Sequence, residues 1–260
     1  MSVQEIRKKY QEIYVIISPP RCSSTAFARV FWGHPVISFY CHEPFDVMYY
    51  EKLDLTDVLK ALKNPLKLEG FKNSYLPTNN LVIKEMTFQV GQQFSFIASL
   101  TKNPIIFLIR DPRLSISSRI KKLTETGRSP VFPIIESGWN SLNHQINQCR
   151  QNNIPYLIVD SKSFRNFPEF IFKTIFNEIG IDFSSDLLHW KPAVNVNLGN
   201  LGDQQKSWYQ RVLESKGIQI ENESIPQINS FSSENGFRSH VKKCYEIYKN
   251  LHKDLNIVQP

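Results

Sequence analysis

The feature that most constrains this chain is a series of short, continuous apolar runs separated by stretches of helical length. Residues 13–18 (IYVIIS) form the first run, and residues 105–109 (IIFLI) form the clearest one. Runs of this length, rich in β-branched residues, are typical of strands buried on both faces of a parallel sheet. Further strands are predicted at about residues 36–40, 81–83 and 155–159.

Helical stretches lie between and after these runs, at about residues 26–32, 55–66, 87–100, 133–152, 168–179 and 237–251. Alternation of strands with helices of this length indicates βαβ units. We therefore expect a single α/β domain over residues 1–260, with a central, mostly parallel sheet flanked by helices. Residues 194–203 (VNVNLGNLGD) are predicted to form a surface loop. Ligands of such sheets bind at the carboxyl ends of the strands, so the residues that follow each strand are the candidates for a site.

Charge and cysteine content narrow the possible partners and compartment. The chain has 31 Lys and Arg against 24 Asp and Glu, a net charge of +7 that suits an anionic ligand. Its densest basic cluster, RIKK at 119–122, is too short for a nucleic-acid interface, so no nucleic-acid partner is expected. Four scattered cysteines without a C-x-x-C pair predict a reduced compartment, with neither a disulfide framework nor a zinc site. The first residues contain only a short apolar run at 14–17, so we expect a cytoplasmic protein without membrane attachment.

The loop after the first strand is the first candidate for binding. Residues 19–25 (PPRCSST) join a strand to a helix, an arrangement that presents backbone N–H groups and binds phosphate or sulfate oxygens. Ser23, Ser24 and Thr25 would add hydroxyl donors, and Arg21 would add a fixed positive charge. The loop resembles a P-loop but lacks the Gly-x-x-x-x-Gly-Lys-Ser/Thr pattern, which disfavours the usual magnesium-nucleotide hydrolases.

A second candidate lies in residues 105–119 (IIFLIRDPRLSISSR). Arg110 follows the apolar strand on the ligand side of the predicted sheet, and Pro112 permits a new helix to begin. Ser118 lies two turns into that helix. A guanidinium and a hydroxyl in these places can hold one phosphate from two sides.

Together the two segments resemble the sulfotransferase superfamily, over about residues 13–120. The resemblance implies that Arg21, Cys22, Ser23, Ser24 and Thr25 bind the 5′-phosphosulfate of the donor 3′-phosphoadenosine 5′-phosphosulfate (PAPS). It also implies that Arg110 and Ser118 bind the donor's 3′-phosphate, and that the product is 3′,5′-adenosine bisphosphate (PAP). The commonest family loop has Ser-Gly-Thr/Ser-Thr after the basic residue. Here Cys22-Ser23-Ser24-Thr25 puts a side chain where the backbone closely approaches the donor.

Sulfuryl transfer to a hydroxyl also needs cations that neutralise the leaving phosphate. Arg21 is the first candidate. Lys84 is the second, because it follows residues 81–83 and matches the family's lysine at the end of this strand.

The reaction needs a base for the acceptor proton, and three residues are candidates. Glu43, in YCHEPF after the second strand, resembles the base of sulfotransferases that include the tyrosylprotein sulfotransferases. Glu85 resembles the base of enzymes that carry it on the third strand. Glu43 is preferred, since Pro44 would hold it rigidly and the following Phe would desolvate it. His42 is the third candidate.

The predicted function is therefore transfer of a sulfuryl group from PAPS to a hydroxyl or amine of a small-molecule acceptor. No metal is expected, because no Asp/Glu cluster is placed to hold one. One alternative is a P-loop phosphotransferase that uses magnesium and ATP, for which Asp160 after strand 155–159 would be the carboxylate. Another alternative is a non-catalytic relative that binds a nucleotide or a partner protein.

Overall fold

The computed structural model describes residues 3–68, 78–196, 198 and 203–260, with the backbone alone for 203–206. Seven strands lie in these ranges: β1 Ile13–Ser18, β2 Ile37–His42, β3 Leu66–Lys67, β4 Asn80–Met86, β5 Ile105–Ile109, β6 Tyr156–Asp160 and β7 Ile257–Val258. The helices in the same ranges are α1 Val3–Lys9, α2 Ser24–Trp32, α3 Asp46–Tyr50, α4 Leu55–Lys63, α5 Thr87–Val90, α6 Phe94–Leu100, α7 Pro112–Glu125, α8 Trp139–Gln151, α9 Ser161–Asn166, α10 Pro168–Glu178, α11 Asp203–Glu214 and α12 Phe237–Leu251.

All seven strands form one sheet, in the order β3-β2-β4-β1-β5-β6-β7. β3 is antiparallel to β2, and the other described neighbours pair in parallel. The predicted single-domain α/β fold with a mostly parallel sheet is confirmed. β1 lies at the centre of the sheet, which explains why all six of its residues are buried.

The sheet separates two hydrophobic cores, because successive side chains of a strand point to opposite faces. In β1, Ile13, Val15 and Ile17 belong to one core, together with residues of α1, α4, α6, α8 and α12. Tyr14 and Ile16 belong to the other core, which contains residues of α2, α10 and α11. Because helices cover both faces of the sheet, the loops that follow the strands meet at the edge formed by the carboxyl ends of the strands. Within the part of the chain that the structure describes, no helix has the length and apolar character needed to cross a bilayer.

Two of the predicted helices are interrupted at glycines. Gly91, with φ 47°, separates α5 from α6 inside the predicted helix at 87–100. Gly138, with φ 78°, separates a 3₁₀ turn at Ile134–Ser137 from α8. A Cβ on Gly138 would lie 2.5 Å from Thr87 Oγ1 and 3.0 Å from the Cα of Pro19, so only glycine fits there. Gly138 thus packs directly against the loop that follows β1.

Other differences concern the extent of elements. β4 continues to Met86, so Lys84 and Glu85 lie within the strand and not after it. The prediction covered only part of α7 and missed α11, which begins at the end of the predicted loop 194–203. Most of the second half of that loop lies outside the described residues.

Candidate active site

A cavity of about 890 Å³ opens at the carboxyl ends of β1, β2, β4 and β5. Seven basic side chains line it: Arg21, Lys84, Arg110, Arg119, Arg128, Arg165 and Arg211. Four acidic side chains line it: Glu43, Glu51, Glu136 and Glu223. The excess of positive charge makes this cavity suitable for an anionic ligand.

The first turn of α2 supplies backbone donors to the cavity. Ser24, Thr25 and Ala26 line it, and the first backbone bond of the helix runs from Phe27 N–H to the carbonyl of Ser23, at 3.0 Å. The three N–H groups before Phe27 have no place in the helical ladder. The side chain of Ser23 makes no capping bond to them. Backbone N–H groups in this position can bind the oxygens of an anion, which is the role that the sequence predicts for this loop.

Three residues that line the cavity have a left-handed backbone: Arg21 at φ 65°, Ser23 at φ 60° and Glu43 at φ 50°. The other described non-glycine residues with positive φ are Lys52, Asn153 and Asn235. This conformation is unfavourable by roughly 1–2 kcal/mol for most L-residues and tends to occur at functional sites. Ser23 stands where the loop that this segment resembles most often has glycine, and it adopts a backbone conformation that favours glycine.

Glu43 and Lys84 form a buried ion pair in the cavity. His42, the last residue of β2, is in register with Lys84 of β4, and the backbone N–H of Glu43 donates to the carbonyl of Lys84 at 2.7 Å. Lys84 Nζ donates to Glu43 Oε1, and both side chains are 1% exposed. Burial alone would raise the pKa of Glu43, but Lys84 and then His42 lower it well below its usual range. Glu43 is therefore held as a carboxylate.

Side chains from other elements fix the orientation of Glu43. Tyr209 of α11 donates its hydroxyl to Glu43 Oε1 at 2.9 Å, and Gln89 of α5 donates Nε2 to Oε2 at 3.4 Å. His42 Nε2 lies 3.2 Å from Glu43 Oε1. The carboxylate thus contacts groups from β2, β4, α5 and α11.

His42 is a buried neighbour of Glu43. Its Nδ1 is hydrogen-bonded to the Tyr40 hydroxyl at 2.5 Å, and its ring packs edge-on against Tyr209 at 4.5 Å between centroids. Burial lowers the pKa of His42, so its neutral form is favoured. His42 is not among the described side chains that line the cavity.

Glu85 lies apart from this group, because adjacent residues of a strand point to opposite faces. Its carboxylate accepts hydrogen bonds from the backbone N–H of Phe45 at 2.8 Å and of Met86 at 2.6 Å. Burial, and then the charge of Glu43, raise the pKa of Glu85 well above its usual value. Of the two glutamates, only Glu43 lines the cavity among the described residues, and Glu85 instead connects β4 to the start of α3.

Arg21, Arg110 and Ser118 come together at one end of the cavity. Arg21 Nε donates to Ser118 Oγ at 3.1 Å, and Arg110 Nη1 donates to the carbonyl of Arg21 at 3.1 Å. Burial, and next the nearby Arg110, lower the pKa of Arg21. Trp208 of α11 covers this end, with the guanidinium carbon of Arg21 5.7 Å from its ring centre.

The remaining donors of Arg110 contact two glutamates that the sequence analysis did not select. Arg110 Nε donates to Glu221 Oε1 at 2.8 Å, and Nη2 lies 2.7 Å from the same oxygen and 3.1 Å from Glu223 Oε1. Burial alone would lower the pKa of Arg110, and these two carboxylates raise it. Arg165 of α9 lies on the far side, with Nη1 3.5 Å from Glu221 Oε2.

Two other candidates have structural roles. The side chain of Cys22 is fully buried, and burial raises the pKa of its thiol, so Cys22 contributes only backbone to the loop. Asp160 accepts from the N–H of Lys162 at 2.7 Å, which caps α9, and from the Tyr248 hydroxyl at 2.8 Å. Asp160 is absent from the cavity lining as far as the structure describes it, so the phosphotransferase alternative lacks its expected carboxylate. Nor do the described residues contain a group of three or more His, Cys, Asp or Glu placed to bind a metal ion.

Several cavity residues were missed in the sequence. Arg165 could have been found, because it follows β6 closely and ligand-binding residues follow strands. Tyr209 and Arg211 belong to α11, for which no helix was predicted. Arg119 is the neighbour of Ser118 and forms an ion pair with Glu136, which lies in a 3₁₀ turn.

Comparison with solved structures identifies the fold. A sulfotransferase domain from the curacin biosynthetic pathway matches with a TM-score of 0.53 and 16% identity, over 96% of this chain and 99% of that domain. The sulfotransferase domain of the Synechococcus PCC 7002 olefin synthase matches with a TM-score of 0.52 and 18% identity, over 93% and 96%. Mouse sulfotransferase SULT7A1, in complex with PAP, matches with a TM-score of 0.50 and 11% identity, over 97% and 93%. No protein-family model matches the sequence, and a search of curated proteins found no match. The chain has the sulfotransferase fold.

Proposed function

We propose that this chain, which has the sulfotransferase fold, transfers a sulfuryl group from PAPS to a hydroxyl or amine of a small-molecule acceptor. The observation that carries the proposal is the Lys84–Glu43 pair, which lines a basic cavity beside the open N-terminus of α2. A cation and a carboxylate beside an anion-binding loop supply what sulfuryl transfer needs. The PAP complex of the mouse neighbour adds support for a donor of this type.

The donor would occupy the loop end of the cavity. The N–H groups and hydroxyls at the start of α2, together with Arg21, would hold the 5′-phosphosulfate. Arg110 and Ser118 would hold the 3′-phosphate. These residues form one continuous end of the cavity, since Arg21 contacts both Ser118 and Arg110.

Glu43 would act as the base. It would take the proton from the hydroxyl or amine of the acceptor substrate. At the same time the oxygen or nitrogen of that group would form a bond to sulfur, and the bond between sulfur and the bridging phosphate oxygen would break. The electron pair of that bond stays with PAP, and Lys84 and Arg21 would neutralise the charge that develops there. The products are the sulfated acceptor, PAP and a proton released from Glu43.

Lys84 would also control the strength of the base. While Lys84 pairs with Glu43, the low pKa of that carboxyl makes it a weak base. When Lys84 turns to the donor, Glu43 loses the partner that lowers its pKa most, and its pKa rises. Tyr209 and Gln89 would hold the carboxylate in place during this exchange. Glu43 would thus become an effective base only when the donor is bound.

We further propose a cytoplasmic location, which the four buried free cysteines support.

The proposed activity is tested by the release of PAP from PAPS, measured by chromatography with a panel of hydroxyl and amine acceptors and with water alone. Wild-type chain is expected to release PAP faster with at least one acceptor than with water. Glu43→Gln should slow this release by about 10²-fold, the scale of a lost general base. The control variant is Glu125→Gln, an exposed residue of α7 that pairs with Lys122. Binding of PAP without any turnover would favour the non-catalytic alternative.

A further inference from the structure

The subsite proposed for the 3′-phosphate is already filled by side chains of the protein. Arg110 Nη1 donates to the carbonyl oxygen of Arg21, and Nε donates to Glu221 Oε1. Nη2 makes no hydrogen bond to a described group, but it lies within ion-pair distance of both Glu221 and Glu223. The side chains of Arg110 and Glu221 are 5% and 4% exposed. The Glu223 side chain is 48% exposed.

The charges around Arg110 balance without a ligand. Glu221 Oε2 lies 3.5 Å from Arg165 Nη1, and Ser161 Oγ donates to the same oxygen at 3.4 Å. Two arginines thus face two carboxylates. A phosphate that entered beside Arg110 and Arg165 would find both guanidinium groups already paired with carboxylates, so it could bind the fork of Arg110 only by replacing those carboxylates.

The segment that carries these carboxylates is attached by few backbone contacts. The described chain has no helix or strand from residue 218 to residue 227. Ile218 N–H donates to the carbonyl of Leu188 at 3.2 Å. Arg165 donates Nε to the carbonyl of Gln219 at 2.6 Å and Nη2 to that of Ile220 at 3.3 Å. Such a segment can move without loss of a helix or a strand.

We propose, on the basis of the sulfotransferase function proposed above, that Glu221 and Glu223 form a carboxylate latch on Arg110 that the 3′-phosphate of the donor displaces. A phosphate matches the guanidinium fork and offers it more acceptor oxygens than a carboxylate does. Arg165, the other arginine paired with Glu221, donates its Nη1 to Ser23 Oγ of the phosphate loop at 3.4 Å while the latch is closed. The 5′ end of the proposed donor site is therefore available whether or not the latch is open.

The latch has a consequence for nucleotide affinity. The apparent affinity for PAP is lower than the intrinsic affinity, by the fraction of molecules in which the latch is open. AMP has no 3′-phosphate to place on Arg110, so the latch does not affect its affinity. Loss of the latch should therefore strengthen PAP binding selectively.

The proposed latch is tested by calorimetric titration of PAP and of AMP into three proteins. These are the wild-type chain, Glu223→Gln and the double variant Glu221→Gln/Glu223→Gln. The double variant should bind PAP at least about tenfold more tightly than wild type, and AMP with unchanged affinity. Glu223→Gln should give a smaller gain, and it keeps the test valid if the double variant does not fold, because Glu223 is half exposed. Glu214→Gln, which changes an exposed residue of α11 that accepts from Gln210, is the control for loss of a negative charge.

A second measurement follows the opening of the segment that carries Glu221 and Glu223. In wild type, PAP should increase amide hydrogen exchange at residues 219–223, and AMP should leave it unchanged.

Other outcomes overturn the inference in distinguishable ways. If wild type binds PAP and the variants bind it equally or more weakly, the latch is wrong and the proposed function stands. Weaker AMP binding in the variants would mean that the carboxylates hold ribose hydroxyls. If neither wild type nor any variant binds PAP, the proposed donor is wrong, and the latch with it.

Discussion

Lys84 Nζ donates a hydrogen bond to Glu43 Oε1, and both side chains are almost completely removed from solvent. Each residue supplies the charge that the other needs in order to be buried. The pair joins two neighbouring strands, β2 and β4, at the carboxyl edge of the sheet. This contact connects the stability of the fold to the proposed chemistry.

Replacement of Lys84 by Met should leave Glu43 as an uncompensated buried charge. We expect Lys84→Met to lower the free energy of unfolding by about 3–5 kcal/mol. Addition of Glu43→Gln should restore most of that loss, because the remaining pair of side chains is uncharged. Urea unfolding of the two variants and wild type measures both effects. Equal stability of the single and the double variant would contradict the pairing.

Stability should depend on pH through Glu43. The pKa of Glu43 is lower in the folded chain than the value of about 4.3 for an unfolded glutamate. The pair thus contributes stability that is fully present above about pH 4.3 and is lost as the pH falls toward the folded pKa. The stability difference between wild type and Glu43→Gln, measured by urea unfolding, should therefore shrink as the pH falls. A difference that stays constant with pH would contradict this assignment.

Ser23→Gly should stabilise the chain by about 1 kcal/mol. The change relieves a left-handed serine, and the added freedom of the unfolded chain offsets part of that gain. Thermal unfolding measures the shift. The matched control is Ser99→Gly near the end of α6, where the backbone is helical and glycine should destabilise. Loss of stability in both variants would argue against strain at Ser23.

Gly138→Ala should disturb the phosphate loop. Its methyl group would meet Thr87 Oγ1, Pro19 and Pro20, so we expect a loss of stability of about 2–3 kcal/mol and weaker PAP binding. Gly127→Ala is the control, because Gly127 also has a positive φ, of 69°, but has no atom within 4 Å of its added Cβ. Gly127→Ala should cost about 1 kcal/mol and leave PAP binding unchanged. Similar PAP affinities for the two variants would show that Gly138 does not support the loop.

Tyr209→Phe should change both the pKa and the orientation of the Glu43 carboxylate. The change removes a hydrogen bond to the carboxylate, so the pKa of Glu43 should rise and the acid limb of the kcat profile should move to higher pH. Turnover near neutral pH should nevertheless fall by up to about tenfold, because the carboxylate loses a hydrogen bond that holds it in place, and this is the scale of one lost hydrogen bond. A pH profile identical to that of wild type would show that Tyr209 serves only packing.

The sheet and the loop were predictable because their signals are local. Strands buried on both faces, such as β1 and β5, are continuous apolar runs, and the polar residues that end them mark the binding edge. The placing of Arg110 and Ser118 near one ligand was predicted from a strand end and a helix turn, whereas the contacts of Arg21 with both residues were not predicted. Two helix predictions failed at Gly91 and Gly138, where a positive φ interrupts a pattern that is otherwise helical.

The side chains that contact Glu43 and Arg110 could not be predicted, because they come from distant parts of the chain. Tyr209 reaches Glu43 across 166 positions, and Glu221 reaches Arg110 across 111. No spacing in the sequence indicates such contacts. The choice between Glu43 and Glu85 likewise depended on which face of β4 adjoins the cavity, and that depends on packing.

The proposed function requires that the cavity binds a nucleotide with phosphates at both the 3′ and 5′ positions. Thermal unfolding with PAP, compared with ATP plus magnesium, tests it most directly. A ligand at 100 times its dissociation constant stabilises the folded chain by about 2.7 kcal/mol. For a chain of this size, that corresponds to a rise of about 5 °C or more in the midpoint. We predict this rise with PAP and none with ATP plus magnesium. A rise with ATP and magnesium but not with PAP, or no rise with either ligand, would contradict the proposed donor site.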